Sequence, residues 1–320
     1  MVLKDELEKI YEKCSKMMGG EVASYIPELA NVDPNQLSIS LVTVDGQIEE
    51  IGDVNSQFTI QSICKPFSYA KCLEYFKPEE LLSRVGVEPT GEDFNSISKL
   101  DHMRRPMNPM VNAGAISLCG MLQARLENKS EKTMLEYFSD FVGREVKIDS
   151  TIFESEWRTT DRNRAITYLL KNYDMLSASV QESLELYVKL CSISMTSTDL
   201  ANMGATLANR GLNPITQKQC VPPQNLSAIS SVMLTCGMYN YSGQWVFDVG
   251  LPAKSGVSGA VLMIVPDVMG IAIYSPRLDA RGNSVRGIEA CRELSKIFNL
   301  HIFDFHAPRR VSELLQGKNS

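Results

Sequence analysis

Two groups of strand-like segments at opposite ends of the chain, held apart by a long helical stretch, constrain the fold more than any other feature. Gln36 to Thr43 and Ile48 to Ile51 alternate apolar and polar side chains around Asp45-Gly46. An Asp-Gly centre between alternating runs is the strongest short-range signal for an antiparallel hairpin. Strand patterns return only at Trp245 to Val249, Ala260 to Val265 and Gly270 to Tyr274. Either group alone would make a marginal sheet, because so few short strands bury too little apolar surface. The economical arrangement is one five-stranded antiparallel sheet drawn from both chain ends, which is α+β rather than a βαβ winding.

From Ser62 to about Leu226 the chain shows helical period and loops but no convincing strand. Ser197 to Asn209 is the clearest helix, with Ser197 or Thr198 as cap, a Leu200/Met203/Leu207 stripe and Gly211 as the stop. Helices also flank the sheet segments. Leu3 to Met18 puts Leu7, Ile10, Tyr11 and Cys14 on one stripe, and a closing helix spans Asn283 to Phe298. The expected organisation is a sheet lobe from residues 1–65 and 227–306, an inserted all-helical lobe from residues 66–226, and a polar tail from residues 307–320. It would bring Ser62 and Lys254 together at the lobe boundary, where ligand sites commonly form.

Charge and cysteine usage exclude several function classes. A net charge of −6 over 320 residues supplies no basic field for nucleic acid or anionic lipid. The longest apolar run, Gly259 to Ser275, is interrupted by Pro266-Asp267 and is too short to span a bilayer. Met1 to Lys16 has no apolar core of the kind a signal peptide needs. The eight cysteines never form Cys-x-x-Cys, and there are only three histidines, so no metal site or other cofactor is expected. Thiols in apolar helical stretches read as reduced core residues of a cytoplasmic protein.

Ser-x-x-Lys occurs three times, as Ser62/Lys65, Ser68/Lys71 and Ser96/Lys99. On a helix this spacing puts hydroxyl and amine on one face, where a buried neutral lysine can take the serine proton. Context separates the three. Ser68 lies inside the helix that Ser62 starts, and Ser96/Lys99 sits in a polar loop beside Asp93, Asn95 and Asp101. Only Ser62 follows a strand-like segment, Phe58 to Gln61, at a helix N-terminus whose free amides can stabilise an oxyanion. The alternative is a plain helix cap at Ser62 with a solvated Lys65. Lys254-Ser255-Gly256 tips the balance, since Lys-Ser/Thr-Gly accompanies Ser-x-x-Lys in the β-lactamase and penicillin-binding class. Val257 then follows as a second oxyanion donor.

Longer strings are more specific. Asn108-Pro109-Met110-Val111-Asn112-Ala113-Gly114-Ala115-Ile116, Cys236-Gly237-Met238-Tyr239 and Leu251-Pro252-Ala253-Lys254-Ser255-Gly256-Val257 resemble the signature segments of the serine-dependent glutaminases, a β-lactamase-like family. Glu156 through Asp161-Arg162-Asn163, and Tyr187 to Ser192, resemble that family in order and spacing. The resemblance runs from about Tyr25 to the last helix. It implies hydrolysis of L-glutamine to L-glutamate and ammonia through a glutamyl ester. Ser62 would be the nucleophile and Lys65 its base, kept neutral by burial and by a cationic Lys254. Tyr187 and Tyr239 would relay protons. Tyr25, Asn112, Glu156 and Asn163 would hold the amino-acid end of the substrate, and Val257 would complete the oxyanion hole. The resemblance also implies a homodimer or homotetramer, which the residues themselves do not specify.

Each of these residues also has a structural alternative. Asn112 could cap the helix that follows it, Glu156 could be a surface carboxylate, Asn163 could be solvated, and Tyr187 could be a core tyrosine. Two rival functions share the same residues. One is a β-lactamase or peptidoglycan peptidase; the other is an amino-acid-binding module without catalysis.

Overall fold

The structure, a computed structural model, describes residues 2–91 and 100–304. Its main sheet contains β1 (Ser38–Thr43), β2 (Ile48–Gly52), β6 (Ala253–Ser255), β7 (Ala260–Val265) and β8 (Met269–Tyr274). They are ordered β2-β1-β8-β7-β6. All pairings are antiparallel, with Ile39 opposite both Ile51 and Ile273, and Lys254 opposite Leu262. The sheet is therefore built from both chain ends, and the helical stretch between them is inserted.

Strands β1, β7 and β8 are buried on both faces, which explains why β7 and β8 read as nearly continuous apolar runs, while β1 buries Ser38, Ser40 and Thr43 between its apolar residues. The pleat divides them between two cores. Ala260, Leu262 and Ile264 face the inserted helices, while Val261, Met263 and Val265 face Leu3, Leu7 and Leu294 of the terminal helices Val2–Ser15 and Val285–Ile297. On the inner face the helix Ser197–Ala208 lies directly on the sheet. A Cβ at Gly270 would come within 2.1 Å of Ala205 N and 2.2 Å of Ala201 O, so only glycine allows this approach. That helix begins with a capping box, but at Thr196 and Asp199 rather than at Ser197 or Thr198.

Two sequence expectations need correction. Trp245 to Val249 is not a strand; it belongs to the helix Ser242–Asp248 and the turn after it. Trp245 and Val249 are both fully buried while Phe247 is 81% exposed, which is helical spacing rather than alternation. The fifth strand is instead β6, one element further on. The inserted region also contains strand pairing: β3 (Phe58–Thr59), β4 (Lys147–Ile148) and β5 (Ile193–Met195) form a small sheet ordered β3-β5-β4. Runs of two or three residues are too short to show a period. Residues 307–320, expected as a polar tail, and the Ser96/Lys99 pair lie outside the described residues. Among the described residues no helix is long and apolar enough to cross a membrane.

Candidate active site

Ser62 is presented by a tight bend. Phe58 of β3 stacks on Tyr274 of β8 with ring centroids 4.4 Å apart, tying the short strand to the main sheet. A 3₁₀ turn, Gln61–Ile63, then leads into the helix Cys64–Tyr75. Ser62 thus sits in the 3₁₀ turn, two residues before the α-helix that was expected to begin near Ser62 itself. Gln61 holds φ +50, a left-handed conformation that costs energy for a residue with a side chain. The end of β6 packs against this bend. A Cβ at Gly256 would lie 2.9 Å from Ile60 O and 3.4 Å from Gln61 Cβ, so Lys254-Ser255-Gly256 abuts the Ser62 turn as an edge strand. The second Ser-x-x-Lys is ordinary by comparison. Ser68 Oγ donates to Cys64 O, and Lys71 pairs with Glu74 at 2.7 Å.

Lys65 is completely buried one turn after Ser62. Its Nζ donates to Met110 O (3.0 Å), Asn112 Oδ1 (2.7 Å) and Tyr239 Oη (3.2 Å). Burial pulls its pKa down to about 8, against an ordinary value of 10.5. Tyr239, at φ +53, also hydrogen-bonds Ser62, so its hydroxyl meets both residues. Burial raises the Tyr239 phenol above its usual range and keeps it protonated.

Lys254 is equally buried. Its Nζ donates to Ser255 O at 2.7 Å and lies 3.9 Å from the centroid of the Tyr239 ring. Burial, and then repulsion from Lys65, lower its pKa well below the ordinary lysine range. Both effects oppose the positive charge expected on Lys254. Three oxygen acceptors surround Lys65, whereas Lys254 has a carbonyl and a ring face.

Asn112 connects the buried groups to the pocket. It opens the helix Asn112–Leu126, but Val111 is the N-cap and makes no side-chain cap bond. Asn112 Oδ1 accepts from Lys65 and from Tyr187 Oη (3.2 Å), and its Nδ2 donates to Asn163 Oδ1 (2.8 Å). Tyr187, on the helix Val180–Cys191, is buried with its hydroxyl satisfied by this contact. Asn163, in the first turn of the helix Asp161–Asn172, donates from Nδ2 to Thr160 Oγ1 at 2.9 Å.

Glu156 is not a surface carboxylate. Its Oε1 accepts from Tyr25 Oη at 2.7 Å and from Gln61 Nε2 at 3.0 Å, and burial raises its pKa against both bonds. A cavity of about 290 Å³ opens among Tyr25, Ser62, Asn112, Glu156, Asn163, Tyr187 and Val257, with Gln61, Thr160, Arg162 and Cys191 also on its wall. Lys65, Tyr239 and Lys254 lie behind Ser62 and are not on that wall. The structure therefore gathers Ser62 and Lys65 with the tyrosines, Asn112, Glu156, Asn163, Lys254 and Val257 in one region. Sequence reasoning missed Gln61, the Met110 carbonyl, Thr160 and Arg162. Backbone oxygens carry no residue-type signal, and Gln61 shows its role only through its conformation.

The geometry agrees with what the chain resembles as a whole. A family model described as Glutaminase matches residues 20–303. The chain is 48% identical over 298 residues to a glutaminase of Nostoc sp., covering 93% of this chain and 89% of that one. It is 45% identical over 314 residues to a glutaminase of Microcystis aeruginosa, covering 98% and 93%. Among solved structures, "Probable glutaminase ybaS" superposes with a TM-score of 0.91 at 36% identity, over 94% of this chain and 98% of that one. A structure of Mglu in its glutamate form gives 0.90 at 39% identity, over 96% and 71%. These neighbours share the β-lactamase-like fold.

Proposed function

The chain belongs to the glutaminase family, and we propose that it hydrolyses L-glutamine to L-glutamate and ammonia through an ester on Ser62. In this reading residues 1–65 with 227–306 and residues 66–226 form two lobes, with the pocket at their junction. The observation that carries the mechanism is the hydroxyl of Tyr239 between Ser62 and Lys65. Met110 O and Asn112 Oδ1 can only accept hydrogen bonds. A neutral Lys65 therefore spends both N–H groups on them and turns its lone pair to the Tyr239 hydroxyl.

Proton transfer then runs from Ser62 Oγ to Tyr239 Oη as Tyr239 passes its own proton to Lys65 Nζ. Ser62 Oγ forms a bond to the side-chain carbonyl carbon of glutamine. The resulting oxyanion rests between the N–H groups of Ser62 and Val257, each such donor being worth about 10²–10³ in rate. The C–N bond breaks with the proton returned by the same route, so that ammonia leaves and a glutamyl-Ser62 ester remains. Water, activated along this path, cleaves the ester and restores Ser62. Glu156 pairs the substrate ammonium in a partly buried site where a charge-assisted bond is strong. Lys254 packs on the Tyr239 ring, behind the proton route from Ser62 to Lys65.

The test is ammonia release from glutamine, beside asparagine, by wild type and Ser62→Ala. A drop of at least about 10⁴ in kcat with unchanged circular dichroism is expected. Near wild-type release from the variant would refute the ester.

A further inference from the structure

Two buried thiols meet beside the active site. Cys191 Sγ lies 3.7 Å from Cys64 Sγ, and both cysteines are free. Cys191 also hydrogen-bonds Tyr187, one turn earlier on the helix Val180–Cys191. It stands on the wall of the cavity that Ser62 faces. Cys64 is 1% exposed, begins the helix Cys64–Tyr75 between Ser62 and Lys65, and lies off that wall. The helix Val180–Cys191 packs on the Gln61–Ile63 turn, so the sulfur contact joins two elements that each carry site residues.

The proton route from Ser62 through Tyr239 to Lys65 uses neither sulfur. One thiol reached through a cavity, with a second directly behind it, is the arrangement of an attacking and a resolving cysteine. We infer that Cys191 and Cys64 form a modification site, which hydrogen peroxide entering the cavity oxidises to a disulfide that stops turnover until a thiol reduces it. Cys191 Sγ bonds to one peroxide oxygen and the O–O bond breaks. The departing hydroxide takes the thiol proton and leaves as water, and Cys191 becomes a sulfenic acid. Cys64 Sγ then attacks that sulfur, the S–O bond breaks, and the hydroxide leaves as a second water with the Cys64 proton. The two thiols give up two electrons and two protons, and the peroxide is reduced to the two waters.

Burial, and then the contact with Cys64, hold the Cys191 thiol well above its ordinary pKa against the opposing charge of Lys65. The thiolate is the reactive form, so the oxidation is slow and calls for excess peroxide. Its effect on the site follows from the geometry. Disulfide sulfurs lie about 2.05 Å apart, so the pair must close from 3.7 Å. Closure draws the start of the Ser62–Lys65 segment towards the helix of Tyr187 and removes the Cys191 S–H beside that tyrosine. A shift of about 1 Å in site residues can cost about 10² in rate.

The experiment treats the protein with excess hydrogen peroxide, blocks remaining thiols by alkylation and maps the peptides by mass spectrometry, with glutamine turnover measured alongside. Wild type should yield a joined Cys64–Cys191 peptide and lose turnover about 10- to 100-fold, with recovery in dithiothreitol. Cys191→Ser should yield no joined peptide and keep the turnover it had before treatment. In Cys64→Ser the sulfenic acid has no resolving thiol, and dimedone should trap it on Cys191. Wild type that stays unlinked, or Cys191→Ser that loses turnover as wild type does, would overturn the inference. The peptide map does not depend on turnover. Wild type that links these cysteines but releases no ammonia from glutamine would uphold the thiol pair and refute the glutaminase reading.

Discussion

Replacing Asn112 by aspartate tests the electrostatics of the site with almost no change of shape. Asn112 Oδ1 lies 2.7 Å from Lys65 Nζ, so the substitution puts an anion in contact with the buried amine. An opposite charge at such range moves a pKa by about 1–3 units toward the charged form. For a lysine the move is upward, so the Lys65 value of about 8 would rise to between about 9 and 11. The neutral amine is the competent form, and its fraction falls as the pKa climbs above the working pH. At pH 8 that fraction would drop from about one half to between one in ten and one in a thousand, a loss of about fivefold to several hundredfold. The sign also predicts recovery: activity should return as pH rises, whereas a merely damaged pocket would stay poor at every pH. The assay is kcat/KM for glutamine between pH 6 and 10, expressed as variant over wild type so that titration of the free substrate cancels. A ratio that stays flat with pH would refute the assignment of Lys65 as the proton acceptor, whatever the absolute activity.

Wild type itself should gain kcat/KM as pH rises through about 8, because the lowered Lys65 pKa sets where the neutral amine appears; a profile already level from pH 6 would contradict this. Tyr239→Phe removes the hydroxyl shared by Ser62 and Lys65 and should cut kcat by about 10²–10⁴ with little change in glutamate binding by calorimetry. Glu156→Gln keeps both hydrogen-bond acceptor geometry and size but loses the charge, so the glutamine KM should rise about 10- to 100-fold in steady-state kinetics. Gly270→Ala forces a methyl against Ala205 N and Ala201 O; a cost of about 1–3 kcal/mol should lower the melting temperature by several degrees in calorimetry.

The sheet was legible from sequence where strands are long. β1, β2, β7 and β8 each run five or six residues and show alternation or sustained apolar character bounded by turns. The error at Trp245 arose because a seven-residue helix and a short strand leave similar apolar traces. Only the exposure of Phe247 between buried Trp245 and Val249 separates them, and exposure belongs to the folded molecule. Ser62 stood out among its rivals through its place at the junction of a strand and a helix. The 3₁₀ turn and the left-handed Gln61 that shape this junction follow from packing against β6.

Chemistry divides in the same way. Residue types and spacing carried Ser62 and Lys65 into consideration, whereas Glu156, Asn112 and the tyrosines entered through the resemblance of longer strings to a known family. What surrounds each lysine amine was decided by tertiary structure alone. Lys65 and Lys254 are the same residue type, both fully buried, and differ in what lies around the amine: three oxygen acceptors for one, a carbonyl and an aromatic face for the other. Those neighbours come from segments far apart in sequence, Met110 and Asn112 from one helix start and Tyr239 from another turn. A sequence lists the groups that can hold a proton, but desolvation and hydrogen-bond partners set their affinities, and these exist only once distant segments have packed together.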